Sequence, residues 1–284
     1  DDSGSMERSW MWADTDTSDG TADSVKDRSY VNNSLYYNPA TRYLPWRTAS
    51  LDLNDRLSAA NFRSVSNSAT SLTASLIDLT SSSHEAKTYF YIPKVPNPGL
   101  TASNYDKYRI TSSNSSTSYN GGVVQKLGPA TLMGPTTISS ISLENWSNCI
   151  VVSTNGAESV TIETSGGTGD GDLYVYTRRS DCSDDETTST GSTNAESVTI
   201  NSPRATISFR IYAYSAVSNI RYTVTASAWS DMTPSGNTGA LQQAELQNFA
   251  NWYQYHRTRN KMAKAGASEA FGRLGKNYRV GYDT

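Results

Sequence analysis

From about residue 140 to residue 228 the chain alternates apolar and polar residues in six short runs. They are Cys149–Ser153, Ser159–Glu163, Leu173–Tyr176, Ser197–Ile200, Thr206–Tyr212 and Ile220–Thr225, with Gly, Asp, Asn and Ser between them. A period of two turns every second side chain to one face, so each run can bury one face only. Several half-buried strands at this spacing close on one another most simply as a β-sandwich, here of about 90 residues.

The flanks read differently. Residues 7–35 are polar and acidic and read as loop, and Asp14-x-Asp16-x-Ser18 imitates a calcium loop. The position that needs Gly is Asp19 and the position that needs Glu is Val25, so the imitation fails where the turn demands it. Residues 35–48 are dense in aromatics, and Pro39 and Pro45 preclude a regular helix there. Strands are predicted over 86–97, where Tyr89, Tyr91 and Ile92 alternate before Pro93, and over Tyr105–Ile110, and a flexible loop over 112–122. Residues 230–239 read as a linker. A single long helix is then predicted from Ala240 to Leu274, with Phe249, Tyr253, Ala263, Ala267, Ala270, Phe271 and Leu274 as its buried stripe. Gly275 would stop it, and Tyr278–Tyr282 reads as a closing strand.

Composition narrows the function classes. Of 284 residues, 36% are apolar and 18% charged, with 18 Tyr and 6 Trp. Ser, Thr, Asn and Gly fill the difference, as in secreted bacterial surface proteins. Net charge is −3, and the one basic concentration, Arg257, Arg259, Lys261 and Lys264, falls in the predicted helix as a solvated face, so no nucleic-acid partner is expected. No apolar run is long enough to span a membrane. The two histidines, His84 and His256, belong to no H-E-x-x-H, and no G-x-S-x-G occurs, so a noncatalytic role is expected. His256 reads as structural. Cys149 and Cys182 fit either a bridge in an exported protein or a reduced buried pair.

Two places carry metal-type ligands. Asp1, Ser3 and Ser5 form D-x-S-x-S, one carboxylate and two hydroxyls suited to Mg²⁺ or Ca²⁺. Asp170 and Asp172 lie in a Gly-rich turn before a strand. They offer oxygen ligands to Ca²⁺, with Asp181 or Glu196 as partners; the other reading is an ordinary turn whose carboxylates bond to local backbone N–H groups. The aromatics Trp10, Trp12, Tyr36, Tyr43 and Trp46 either stack on glycans or proteins, or form a local core for an irregular segment.

The outer segments resemble the N-terminal region of PilY-type type IV pilus tip proteins. The likeness rests on Asp1–Met6, on Tyr37-Asn38-Pro39 with Tyr43-Leu44-Pro45-Trp46, and on Gln247–Tyr253 with Arg257-Thr258-Arg259, Ala263-Lys264 and Tyr278–Tyr282. It implies a mixed fold: an incomplete von Willebrand factor A-like α/β region over 1–135 and 230–284, interrupted by the all-β sandwich over 136–229. In such a domain D-x-S-x-S ends the first, central strand. The chain is therefore expected to be a cut piece of a larger protein, with loosely packed flanks and an adhesion motif whose further Thr and Asp ligands lie beyond Thr284. The resemblance also implies export through the periplasm, display at the cell surface on the pilus tip, minor pilins or other pilus components as partners, and a host or surface protein or glycan as ligand.

The middle segment resembles a bacterial pre-peptidase C-terminal domain. The likeness is carried by Gly166–Val175, Asp181-Cys182, Asn194–Ser197 and Arg210–Ser215. Members often have a second Cys where this chain has Ser197, which leaves Cys149 as the candidate partner of Cys182. Because this domain commonly accompanies peptidases, the alternative function is an accessory, calcium-stabilised domain of a secreted hydrolase.

Overall fold

The computed structural model describes residues 4–11, 23–50, 52, 54–183 and 186–274. In chain order these form α1 (Val25–Arg28), β1 (Val65–Ser66), β2 (Leu76–Ile77), β3 (Phe90–Pro93), β4 (Tyr105–Ser112), β5 (Gly122–Ile141), β6 (Ile150–Ser153), β7 (Ser159–Ser165), β8 (Thr168–Tyr176), β9 (Glu186–Ser189), β10 (Ser197–Asn201), β11 (Thr206–Asp231), α2 (Gly239–Tyr255) and α3 (Arg259–Gly272). Nine strands join in the path β10-β7-β11-β5-β4-β3, with β6 and β8 also on β11 and β9 on β8. Two compact units result: Asp1–Lys126 with Asp231–Thr284, and Leu127–Ser230.

This overturns the mixed von Willebrand A-like expectation. That fold needs a parallel sheet between helices, whereas the strand ladders here are antiparallel: β1 on β2, and β3 on β4 on β5 in the first unit. The protein is mostly β, with two substantial helices that follow one another in sequence. The first unit is not loosely packed either. Tyr37, Phe90, Phe249, Leu79 and Ile110 are fully buried in one core with Val65, Val124, Leu246 and Trp252. Tyr37 stands at its centre, edge-on to Phe90 and Phe249 at 5.2 and 4.8 Å. Tyr36 and Tyr43 belong to this core and Trp46 packs on it, so these aromatics serve an irregular segment; Trp12 lies outside the described residues.

The single predicted helix is two. Thr238 caps α2 by accepting from the Leu241 N–H at 3.3 Å. Thr258 caps α3 in the same way, accepting from the Lys261 N–H, and its hydroxyl also donates to the Ala69 carbonyl at 2.8 Å. A residue that caps a new helix cannot continue the old one, so the chain breaks at His256–Thr258. The predicted stop at Gly275 and the strand Tyr278–Tyr282 lie outside the described residues.

Much of the first unit between residues 35 and 85 has little regular structure, so its backbone polar groups need partners. The amide side chains of α2 supply several of them, and Gln242 does the same for β5. Gln242 accepts from the Val124 N–H at 2.7 Å and donates to the Val124 carbonyl at 3.0 Å. Asn248 accepts from the Tyr43 N–H and donates to the Thr41 carbonyl. Asn251 accepts from the Ala60 N–H and donates to the Tyr43 carbonyl. Gln254 accepts from the Ser66 N–H and donates to the Leu72 carbonyl.

The second unit is a sandwich built around β11. Its first half pairs with β6 and β8, its second half with β7. The inward residues are Ile207, Phe209, Ile211 and Ala213, then Ile220, Tyr222, Val224 and Ala226. The parity switches from odd to even across irregularities between Ala213 and Ser218. Such irregularities bend a strand and re-aim its side chains, which is how one strand serves both layers. The Gly-rich segment 166–171 packs against this bend. A Cβ at Gly167 or Gly169 would lie 2.1 or 2.2 Å from a β11 carbonyl oxygen, and both have positive φ. Cys149 and Cys182 are joined, closing 33 residues, a constraint of about 4 kcal/mol in the chain-entropy account.

The chain enters the second unit along β5 and leaves it along β11. On the first-unit side of that crossing, the Met232 N–H donates to the Val124 carbonyl at 3.0 Å and Gln125 Nε2 donates to Asp231 Oδ1 at 2.9 Å.

Two predictions follow from the first unit. Gln242→Leu leaves the Val124 N–H buried without a partner and its carbonyl with the Met232 N–H alone, a loss of about 1–3 kcal/mol in a urea melt; the exposed neighbour change Gln243→Leu should cost under about 0.5 kcal/mol. The second concerns pH. Burial lifts Glu245 from 4.5 to about 7, although the Tyr37 hydroxyl donates to it. Its contribution to stability is present below pH 4.5 and lost as pH rises to about 7. Burial, with Arg257 and Lys264 nearby, lowers the fully buried Lys261 from 10.5 to about 7. Its contribution is present above pH 10.5 and lost as pH falls to about 7. Both costs are therefore in force near neutrality. Lys261→Met should raise the melting temperature at pH 7, by on the order of 3 kcal/mol of stability, and the gain should shrink towards pH 10.5.

Candidate metal centre

β8 places its inward side chains, Leu173 and Val175, in the sandwich core. Alternation puts Asp170 and Asp172 on its other face. The chain segment after β9 returns to cover that face. Asn194 Nδ2 donates to the Gly166 carbonyl at 2.9 Å, and the Thr164 hydroxyl donates to the Asn194 carbonyl at 2.8 Å. These bonds set the Asn194 side-chain oxygen against Gly171, where an added Cβ would lie 3.1 Å from it. Glu196 is held by its backbone, with its N–H donating to Thr164 Oγ1 at 3.2 Å, and its carboxylate accepts from Ser189 Oγ. A Cβ at Gly191 would lie 2.5 Å from Glu196 Oε1, so Gly191 makes room for that carboxylate.

The result is a covered patch of oxygen atoms. Asp172, Asn194 and Glu196 are 7%, 5% and 6% exposed. Asp170 Oδ1, Asp172 Oδ1 and Asn194 Oδ1 are shielded from solvent and accept no hydrogen bond. Burial pushes the Asp172 carboxyl up, and the neighbouring charges of Asp170 and Glu196 push it the same way, against one backbone N–H from Gly191. An orphaned buried acceptor costs about 1–3 kcal/mol and a buried charge more. Two such acceptors, on Asp170 and Asp172, beside the Glu196 carboxylate that repels them, form an arrangement that a hard cation would relieve.

The donor set fits Ca²⁺: carboxylates and adjacent backbone on a turn, at a coordination number that tolerates irregular geometry. Among the described residues no three His, Cys, Asp or Glu side chains already stand as a ligand shell. A cation would therefore draw on backbone carbonyls and on water as well as on Asp170 and Asp172.

Of the residues singled out in the sequence, the structure brings together Asp170, Asp172 and Glu196. Asp181 is exposed beside the disulfide, with Ser183 Oγ donating to it at 2.5 Å. Asn194, part of the family pattern, braces the covering segment through its bonds to Gly166 and Thr164. Asp1 and Ser3 lie outside the described residues. Ser5 lies in a 3-10 turn, Gly4–Glu7, and no parallel sheet is present among the described residues to seat a von Willebrand-type adhesion motif. No protein-family model matches the chain, and no curated protein matches it.

The raised folded-state pKa of Asp172 means its contribution to stability is present at low pH and declines as pH rises through that pKa. Calcium requires the ionised form, so its stabilisation should run the other way. Thermal unfolding should show a Ca²⁺-induced rise that grows from pH 4 to pH 7, reaching about 2.7 kcal/mol at a hundredfold excess over Kd. Asp172→Asn should raise the melting temperature of the metal-free protein at pH 7 and remove the calcium response. An unchanged response in Asp172→Asn would place the calcium elsewhere.

Proposed function

We propose that the protein is a noncatalytic, exported surface module of a type IV pilus tip, whose sandwich is stabilised by calcium at Asp170 and Asp172, with Glu196 beside them. The observation that carries this reading is the pair of buried, unpartnered carboxylate oxygens of Asp170 and Asp172 beside a third carboxylate. Calcium is abundant outside cells and scarce within, so a fold that leaves this need unmet suits the extracellular side. The Cys149–Cys182 disulfide supports the same compartment. Among the described residues no helix is long and apolar enough to cross a membrane.

The resemblance of residues 37–46 and 247–264 to pilus tip proteins supports the pilus assignment. Those residues include Tyr37, Tyr43, Asn248, Asn251 and Trp252, which build the first-unit core and its hydrogen bonds. Minor pilins or other pilus components are the partners of this reading, and a host or surface glycan or protein is its ligand. Calcium would serve as a structural cation that rigidifies the displayed sandwich.

The decisive experiment replaces the parent gene by one encoding Asp170→Asn and Asp172→Asn. Normal export with loss of surface piliation or adhesion, mimicked in the wild type by calcium chelation, is the expected outcome. Unchanged piliation and adhesion in both conditions would sink the reading.

A further inference from the structure

The first unit contains a second site of opposite charge. A cavity of about 380 Å³ is lined by Arg42, Arg47, Arg56 and Arg273, with Glu269 as its acidic residue. Its size falls within the roughly 300–1,000 Å³ of small-molecule pockets. Glu269 is already engaged: Arg56 Nη1 lies 2.5 Å from Oε1, and Arg47 Nε lies 2.9 Å from Oε2. These two contacts, that with Arg56 first, hold the carboxyl below its usual range, so it is ionised and saturated. Arg56 also donates to the Pro45 carbonyl at 2.8 Å. Four guanidinium charges against one carboxylate leave the cavity strongly positive. His256, which also lines it, is pushed towards its neutral form chiefly by burial.

Arg47 Nη1 is sealed from solvent, so Arg47 meets the cavity through the rest of its guanidinium. Four guanidinium groups around one saturated carboxylate call for an anion. Arg47 is held in place: Nε is fixed by Glu269, and Gly272 clears its path, since a Cβ there would lie 2.4 Å from Arg47 Cδ. Trp46 lines the same cavity and is itself oriented, its Nε1 donating to the Tyr255 carbonyl at 2.8 Å. A guanidinium fork recognises a carboxylate in plane, and an indole offers an apolar face to the C–H side of a sugar ring.

We propose that this pocket binds a carboxylate-bearing sugar, with the carboxylate on Arg47 and Arg42 and the ring against Trp46. The inference deepens the adhesion reading by naming a ligand class and rests on that reading for its biological meaning. Binding itself is measured on the purified full chain, where calcium and pilus assembly play no part.

Isothermal titration at low salt would use D-glucuronate, N-acetylneuraminate, glucose and inorganic phosphate. Saturable binding of either acidic sugar, at least tenfold tighter than glucose or phosphate, is expected. Arg47→Lys and Gly272→Ala should each weaken it at least tenfold. Should Arg47→Lys fail to fold, the rim change Arg42→Gln is expected to weaken binding several-fold in a protein with an unchanged melting temperature. Equal binding of phosphate would reduce the site to a general anion pocket and overturn the sugar assignment. Equal binding of glucose, no binding of either acidic sugar, or full binding in Arg42→Gln would overturn it too.

Discussion

Helix α2 holds the first unit together by standing in for a sheet. Gln242, Asn248, Asn251 and Gln254 each present one donor and one acceptor to main-chain groups, most of them in segments with little regular structure. An amide side chain has the donor–acceptor pair of a peptide group, so it satisfies backbone as a neighbouring strand would. The same helix turns Phe249, Trp252 and Leu246 into the aromatic core beneath. One helix thus supplies both apolar burial and polar satisfaction, and the long irregular stretch between residues 35 and 85 depends on it. This explains why α2 buries Gln242, Asn251 and Gln254 as thoroughly as its hydrophobic residues.

In both units, the groups that have no stabilising account are charged and buried. Glu245 and Lys261 lie in the first unit, and the Asp170, Asp172 and Glu196 group lies in the second. A fold optimised for stability alone would replace such groups with apolar residues. The carboxylate group is covered by a dedicated segment, with Gly191 clearing room for the Glu196 carboxylate. Lys261 has no such arrangement around it, and its charge is simply a cost near neutral pH.

The sandwich was legible in the sequence because its strands obey a period of two and are punctuated by turn residues. Its strand count was not. The runs Thr206–Tyr212 and Ile220–Thr225 are halves of β11, and their opposite parity made them look separate. β5 was hidden because Gly128, Pro129, Gly134 and Pro135 interrupt its alternation. The break between α2 and α3 was written in Thr258, a capping residue inside an otherwise helical pattern. The expected α/β fold of the flanks came from motif likeness, and it failed because short motifs do not carry sheet direction. At the candidate centre, Asp170, Asp172 and Glu196 were visible as acidic residues near glycines. The bracing role of Asn194 was not, because a neutral amide gains its partners only through tertiary contacts.

The hydrogen bonds that join Val124 to Met232 and Gln125 to Asp231 have a consequence for how such a chain can arise and change. To the first unit, the whole of Leu127–Ser230 is what lies between two paired strand residues, and topologically it is the turn of a hairpin. Because the chain leaves and re-enters at points already held together, the host fold is indifferent to how much polypeptide lies between them. The inserted sandwich is thus an exchangeable cargo, free to vary in length without asking the fold that carries it to adapt.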